Sequence, residues 1–190
     1  MNWQTSRRKL DLARPLVMAI LNVTPDSFSD GGKFADPDAA LKQAEKFITE
    51  GADIIDIGGE STRPGSKKVP VNEEIARAVP VIEAITKRFD VPISIDTTKS
   101  EVAQAAVNAG AEIINDISGL RFDASIADVA AKYTTGLILM HSRGEFEMMH
   151  SQPPVEDIMT EVADDFRRAI TKAEASGAQP ENIALDIGIG

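Results

Sequence analysis

No cysteine occurs among the 190 residues of this chain, which excludes disulfides and thiolate metal sites and leaves the redox compartment unreadable. Positive charge is scarce too: 20 lysines and arginines stand against 30 aspartates and glutamates, for a formal net charge of -10. With no basic stripe to displace counterions, no nucleic-acid partner is expected. An anionic ligand would have to be held by a few local cations, backbone donors or a metal. Long apolar runs are also missing. The run that follows the basic Arg7-Arg8-Lys9 cluster is Leu16 to Leu21, too short for a signal-peptide core or a membrane span, so a cytoplasmic chain with no membrane partner is expected. There is no low-complexity tract and no linker. The two histidines, His141 and His150, are not at metal-ligand spacing and no cysteine supports them; His141 ends an apolar run and is a candidate pocket residue.

What is present is 43% hydrophobic residues, enough for a sizeable core in one domain over residues 1–190. Short apolar runs recur, and each breaks off at a polar residue: Val17 to Leu21 at Asn22, Ile54-Ile55 at Asp56, Ile93 to Ile95 at Asp96, Ile113-Ile114 at Asn115-Asp116, Leu137 to Met140 at His141, and Ile183 to Leu185 at Asp186. Buried parallel strands have this form. Helical spacing fills the gaps between them. Asp36 and Pro37 open a helix with Leu41, Ala44, Phe47 and Ile48 inward, closed by Gly51. A second covers about Asn72 to Phe89, where Pro80 predicts a kink or a break. Ser100 caps a third that stops at Gly110, a fourth covers about Ala124 to Lys132, and in the fifth Ile158, Val162, Phe166, Ile170 and Ala173 follow the helical period up to Gly177. Trp3 lies in an N-terminal arm whose form the sequence leaves open.

Alternating strands and helices predict a parallel sheet with right-handed crossovers. A doubly wound nucleotide-binding sheet would carry GxGxxG in its first strand-to-helix turn, and that turn here reads Asn22-Val23-Thr24-Pro25-Asp26-Ser27-Phe28-Ser29-Asp30-Gly31-Gly32. A (β/α)8 TIM barrel is therefore the expected fold, with polar groups converging on the carboxyl ends of its strands. Such a barrel has about 250 residues. The chain is expected to form an incomplete one of six strands and five helices, short of two units at its C-terminal side, with its first and sixth strands as open edges.

In the loop Gly58-Gly59-Glu60-Ser61-Thr62-Arg63-Pro64-Gly65, the glycines let backbone approach a ligand, Thr62 supplies a hydroxyl and Arg63 a fork matched to phosphate oxygens. Asp96, Asn115 and Asp186 at strand ends suit a flat heterocycle with alternating donors and acceptors. Each could instead cap a helix, and the loop could be an ordinary turn.

The two long loops, together with Ile95-Asp96-Thr97, Ile114-Asn115-Asp116 and Met140-His141, resemble the signatures of dihydropteroate synthase over nearly the whole chain. That resemblance implies a transferase of folate biosynthesis. It condenses 6-hydroxymethyl-7,8-dihydropterin pyrophosphate with p-aminobenzoate. It also implies that Asp96, Asn115 and Asp186 hold the pterin between Ile117 and Met140, and that Asn22 contacts Mg2+. Thr62 and Arg63 would lie near pyrophosphate and aminobenzoate, Pro64 and Phe28 would line the aminobenzoate pocket, and Asp30 would order the first loop. Asp96 and Arg63 would be catalytic. A homodimer is expected by the same resemblance. The family's Asp-Pro-Gly after the sixth strand is Asp186-Ile187-Gly188 here, and its later lysine, arginine and histidine are absent, so the chain alone is expected to be a poor synthase. Two other readings are a methyltetrahydrofolate-dependent corrinoid methyltransferase domain and a non-catalytic pterin-binding module.

Overall fold

Isoleucine-rich runs form the centre of this α/β protein. The computed structural model describes residues 1–24, 37–61, 68–144 and 153–189. After a short antiparallel hairpin of β1 (Asn2–Gln4) and β2 (Lys9–Asp11) come β3 (Met18–Asn22), α1 (Pro37–Thr49), β4 (Ile54–Gly58), α2 (Val71–Arg88) and β5 (Ile93–Asp96). They are followed by α3 (Ser100–Ala109), β6 (Ile113–Asp116), α4 (Ile126–Tyr133), β7 (Gly136–Met140), α5 (Ile158–Ala175) and β8 (Ile183–Asp186). The six strands β3 to β8 pair in sequence order, all parallel. Strand and helix alternate as in a TIM barrel, and the sheet stays open between β3 and β8.

Alternation along each strand divides the residues between two faces. Ile55, Ile57, Ile93, Ile95, Ile114, Leu137 and Leu139 face the helices and are buried against Val81, Ile82, Ile85, Val102 and Ala106. The opposite face is the inside of the curved sheet. Its base holds Trp3, Ile54 and Ile113, with Leu10, Leu16 and Met18 packed against them. The hairpin thus plugs the amino-terminal end of the barrel. It is pinned by Trp3 Nε1, which donates to the Asn182 carbonyl at 2.7 Å. Arg8 secures it further, bonding Glu112 at 2.8 Å and 3.0 Å.

Several elements differ from expectation. β4 continues past Asp56 to Gly58, so Asp56 sits within a strand rather than at its end. Pro80 lies inside an unbroken α2. It is on the exposed side, as is Ala76, whose carbonyl loses its helical partner and is open to water. Ser100 is the first residue of α3, not its cap. Its N–H is taken by Asp123 Oδ2 at 2.7 Å, so the helix start is satisfied from the loop before α4. On α5 only Ala169 and Ala173 are buried, and Ile158 is 48% exposed, because this helix packs on α4 at the open end of the sheet.

Candidate functional site

Register brings the polar inner-face residues into layers. Ile20, Asp56 and Ser94 are paired across β3, β4 and β5, and one layer closer to the strand ends Asn22 pairs with Gly58, Gly58 with Asp96, and Asp96 with Asn115. Met140 pairs with Asp186 at the rim, and Ile117 follows β6 on the same face. Asn22, Asp96, Asn115, Ile117, Met140 and Asp186 are therefore gathered at one mouth. Ile117 is buried, Asn22, Asp96, Asn115 and Met140 are half-buried, and Asp186 is exposed on the open edge. Phe28, Asp30, Thr62, Arg63 and Pro64 lie outside the described residues.

Gly58 forms the floor between two of these groups. A Cβ there would stand 3.2 Å from Asn22 Oδ1 and 3.6 Å from Asp96 Oδ2, so the absent side chain leaves a gap faced by an amide oxygen and a carboxylate. Asp96 is held well above the usual carboxylate range, first by burial and then by the charges of Asp56, Glu74, Asp116 and Glu60. Asp56 is likewise pushed up by burial, against the pull of Ser94 and Asn115. On the rim, Asp186 Oδ1 accepts the Gly188 N–H at 2.9 Å. This closes the Asp-Ile-Gly turn with Ile187 52% exposed. Gly188, at φ 68°, could not be replaced freely, since a Cβ would lie 2.3 Å from the His141 carbonyl.

Some polar groups were not foreseen, and His141, expected to line the pocket, is not at the mouth. Asp56 is 3% exposed and accepts from Asn115 Nδ2 at 3.1 Å. Both stems of the loop that carries Thr62 and Arg63 are anchored by Lys99, which bonds Glu74 at 2.5 Å, the Val69 carbonyl at 2.8 Å and Glu60 at 3.1 Å. The Glu60 carboxylate also takes the Val69 N–H. Gly59 allows α2 to approach, since a Cβ there would stand 3.1 Å from the Glu74 carbonyl. Asp116, by contrast, is spent on its own turn, accepting from Ser118 N and Leu120 N. His141 faces α5, 3.7 Å from Glu161. The cavity of about 450 Å³ that it lines with Arg121, Arg143 and Arg168 is on the helix side of the sheet, not in the mouth.

Residues 18–190 match the family model described as pterin binding enzyme. The chain belongs to that family. Among pterin binding enzymes it is 50% identical to the dihydropteroate synthase of Clostridium beijerinckii over 93% of this chain and 63% of the relative. It is 46% identical to that of Escherichia coli K12 over 95% of this chain and 64% of the relative. The Yersinia pestis dihydropteroate synthase, solved with a sulfonamide drug complex, superposes with a TM-score of 0.90 at 44% identity, covering 99% of this chain and 68% of that one. The Burkholderia cenocepacia enzyme, complexed with 7,8-dihydropteroate, gives 0.85 at 41% identity over 98% and 63%. This pterin binding enzyme chain spans about three-fifths of the length of the curated relatives it matches. Among the described residues no helix is long and apolar enough to cross a membrane.

Proposed function

We propose that this chain carries the pterin-binding and metal-binding side of a dihydropteroate synthase, in which 6-hydroxymethyl-7,8-dihydropterin pyrophosphate and p-aminobenzoate give dihydropteroate and pyrophosphate. The observation that carries this reading is the convergence of Asp96, Asn115 and Asp186 on one mouth, with Ile117 and Met140 as apolar walls. Carboxylates and an amide at a half-buried mouth suit the alternating donors and acceptors of a pterin edge. The names of the relatives favour a synthase over a corrinoid methyltransferase. In this reading residues 1–190 form one pterin-binding barrel domain that lacks two units of the closed barrel.

The residues present fit a magnesium ion. Asn22 Oδ1 faces the gap above Gly58, and Mg2+ commonly takes one or two protein oxygens while substrate phosphates and water supply the rest. When bound, the ion would offset charge on the departing pyrophosphate. The N–H donors of a bound pterin would draw Asp96, neutral in the free chain, to its anion, which would stabilise positive charge that develops on the pterin as the methylene–oxygen bond breaks, and Arg63, by its position in the sequence, would pair with the leaving group. The aniline nitrogen then attacks the methylene carbon and loses its proton to solvent. No covalent bond to the protein forms.

Incubating the chain with both substrates and Mg2+, and following dihydropteroate by chromatography and pyrophosphate by enzymatic release, tests the reading. Weak turnover is expected. Replacing Asp96 with Asn should lower it by about 10²-fold, and undiminished turnover in that variant would remove the charge-stabilising role. Binding of dihydropterin without product would leave a pterin-binding module.

A further inference from the structure

Asp56 is buried in the middle of β4 and has no part in the chemistry above, yet it is bonded to a residue that does. Its Oδ2 accepts from Asn115 Nδ2 at 3.1 Å. Its Oδ1 is buried and makes no hydrogen bond among the described residues. Ser94, the residue paired with Asp56 on β5, is close enough to favour the anion, but its hydroxyl is outside hydrogen-bond geometry. Asp56 lies one layer deeper in the barrel than Asn115, since Asp56 pairs with Ser94 whereas Asn115 pairs with Asp96.

An asparagine side chain carries a donor on one side and an acceptor on the other, and nothing intrinsic decides which faces a ligand. A carboxylate partner decides it, because it only accepts. With the Asn115 N–H turned down to Asp56, Oδ1 turns up towards the mouth. A proton on Asp56 would not reverse this, because Oδ1 is the oxygen without a partner, and Oδ2 would still accept.

We propose that Asp56 is a positioning residue that sets the polarity of the pocket: by holding the Asn115 N–H it fixes Asn115 Oδ1 as an acceptor at the mouth, and so selects a heterocycle that offers an exocyclic amino donor there. This rests on the pterin-binding reading and deepens it by assigning the basis of ligand selection.

Two variants separate a hydrogen-bonding role from a charge or a packing role. Asp56→Asn keeps an acceptor without the charge, and Asp56→Leu keeps the approximate shape without the acceptor. Calorimetric titration would compare 7,8-dihydropterin with 7,8-dihydrolumazine, in which a carbonyl replaces the amino group. Wild type and Asp56→Asn should prefer dihydropterin by similar ratios, and Asp56→Leu should lose about tenfold of that preference. An unchanged ratio in Asp56→Leu overturns the proposal. So does an equal loss in Asp56→Asn, which would mean that charge acts and not the bond. A ligand-free measurement stands beside these, and needs no variant to fold: amide proton exchange at Asn115 Nδ2, read by ¹⁵N NMR, should be slowed in wild type. Rapid exchange there overturns the Asp56 bond. If wild type fails to bind dihydropterin while these protons remain protected, the pterin reading falls and the positioning of Asn115 by Asp56 is upheld.

Discussion

Carboxylates gathered inside a barrel set stability against function. Asp96 has a raised pKa, mainly from burial and then from the charge of Asp56, so the folded chain holds a proton that the unfolded chain releases at an ordinary carboxylate pKa. The sign follows from linkage. The stability contribution is full below the unfolded value and is lost as pH rises through the raised folded value. Asp96→Asn should therefore melt close to wild type in acid and a few degrees higher near neutrality, the gap widening with pH in thermal denaturation followed by circular dichroism. A gap that narrows with rising pH would show that Asp96 is stabilised as an anion. Asp96, Asn115 and Asp186 were legible because each interrupts an apolar run where a strand ends. Asp56 also interrupts such a run and so passed for the last residue of its strand. Only two further residues, Ile57 and Gly58, turn it into an inward-facing core position. Its partner Asn115 is 59 residues away, a separation no local pattern encodes.

Helical spacing and end signals located the five α-helices of the described residues to within a few residues. Their ends were less legible where the cap comes from elsewhere, as when Asp123 serves the first turn of α3. The break that Pro80 allowed is absent for a related reason. A proline removes one helical hydrogen bond wherever it falls, but the consequence depends on whether the freed carbonyl meets water or protein. Here Pro80 and Ala76 are on the exposed side, so α2 continues at a cost in stability rather than breaking. Pro80→Ala restores the missing N–H and should stabilise the chain by about 1–3 kcal/mol in urea denaturation, the upper figure applying if the proline strains the preceding turn. A loss of stability would mean instead that the restriction proline places on the unfolded chain outweighs the lost bond.

Barrel topology was readable from the alternation of elements, and the open sheet from the shortage of residues. Both edges carry apolar groups: Val17 and Ile20 at β3 are 55% and 62% exposed, and Leu185, Ile187 and Ile189 on and after β8 are 46%, 52% and 87% exposed. Unpaired edges of this kind template association between chains. Concentration-dependent light scattering is expected for the isolated chain, and Leu185→Lys with Ile189→Lys should suppress it while leaving the far-ultraviolet spectrum unchanged. The hairpin of β1 and β2 was not readable, since its strands are three residues each, too short for an alternating pattern to stand out. Its anchor links Trp3 to Asn182 across 179 positions. During translation the hairpin can already pack on Ile54 and Ile113 and pair with Glu112, but the Trp3 hydrogen bond waits until Asn182 is made. The last bond at the barrel base thus forms late, and any stalled or shortened product that stops before residue 182 is released with its only tryptophan lacking that hydrogen-bond acceptor.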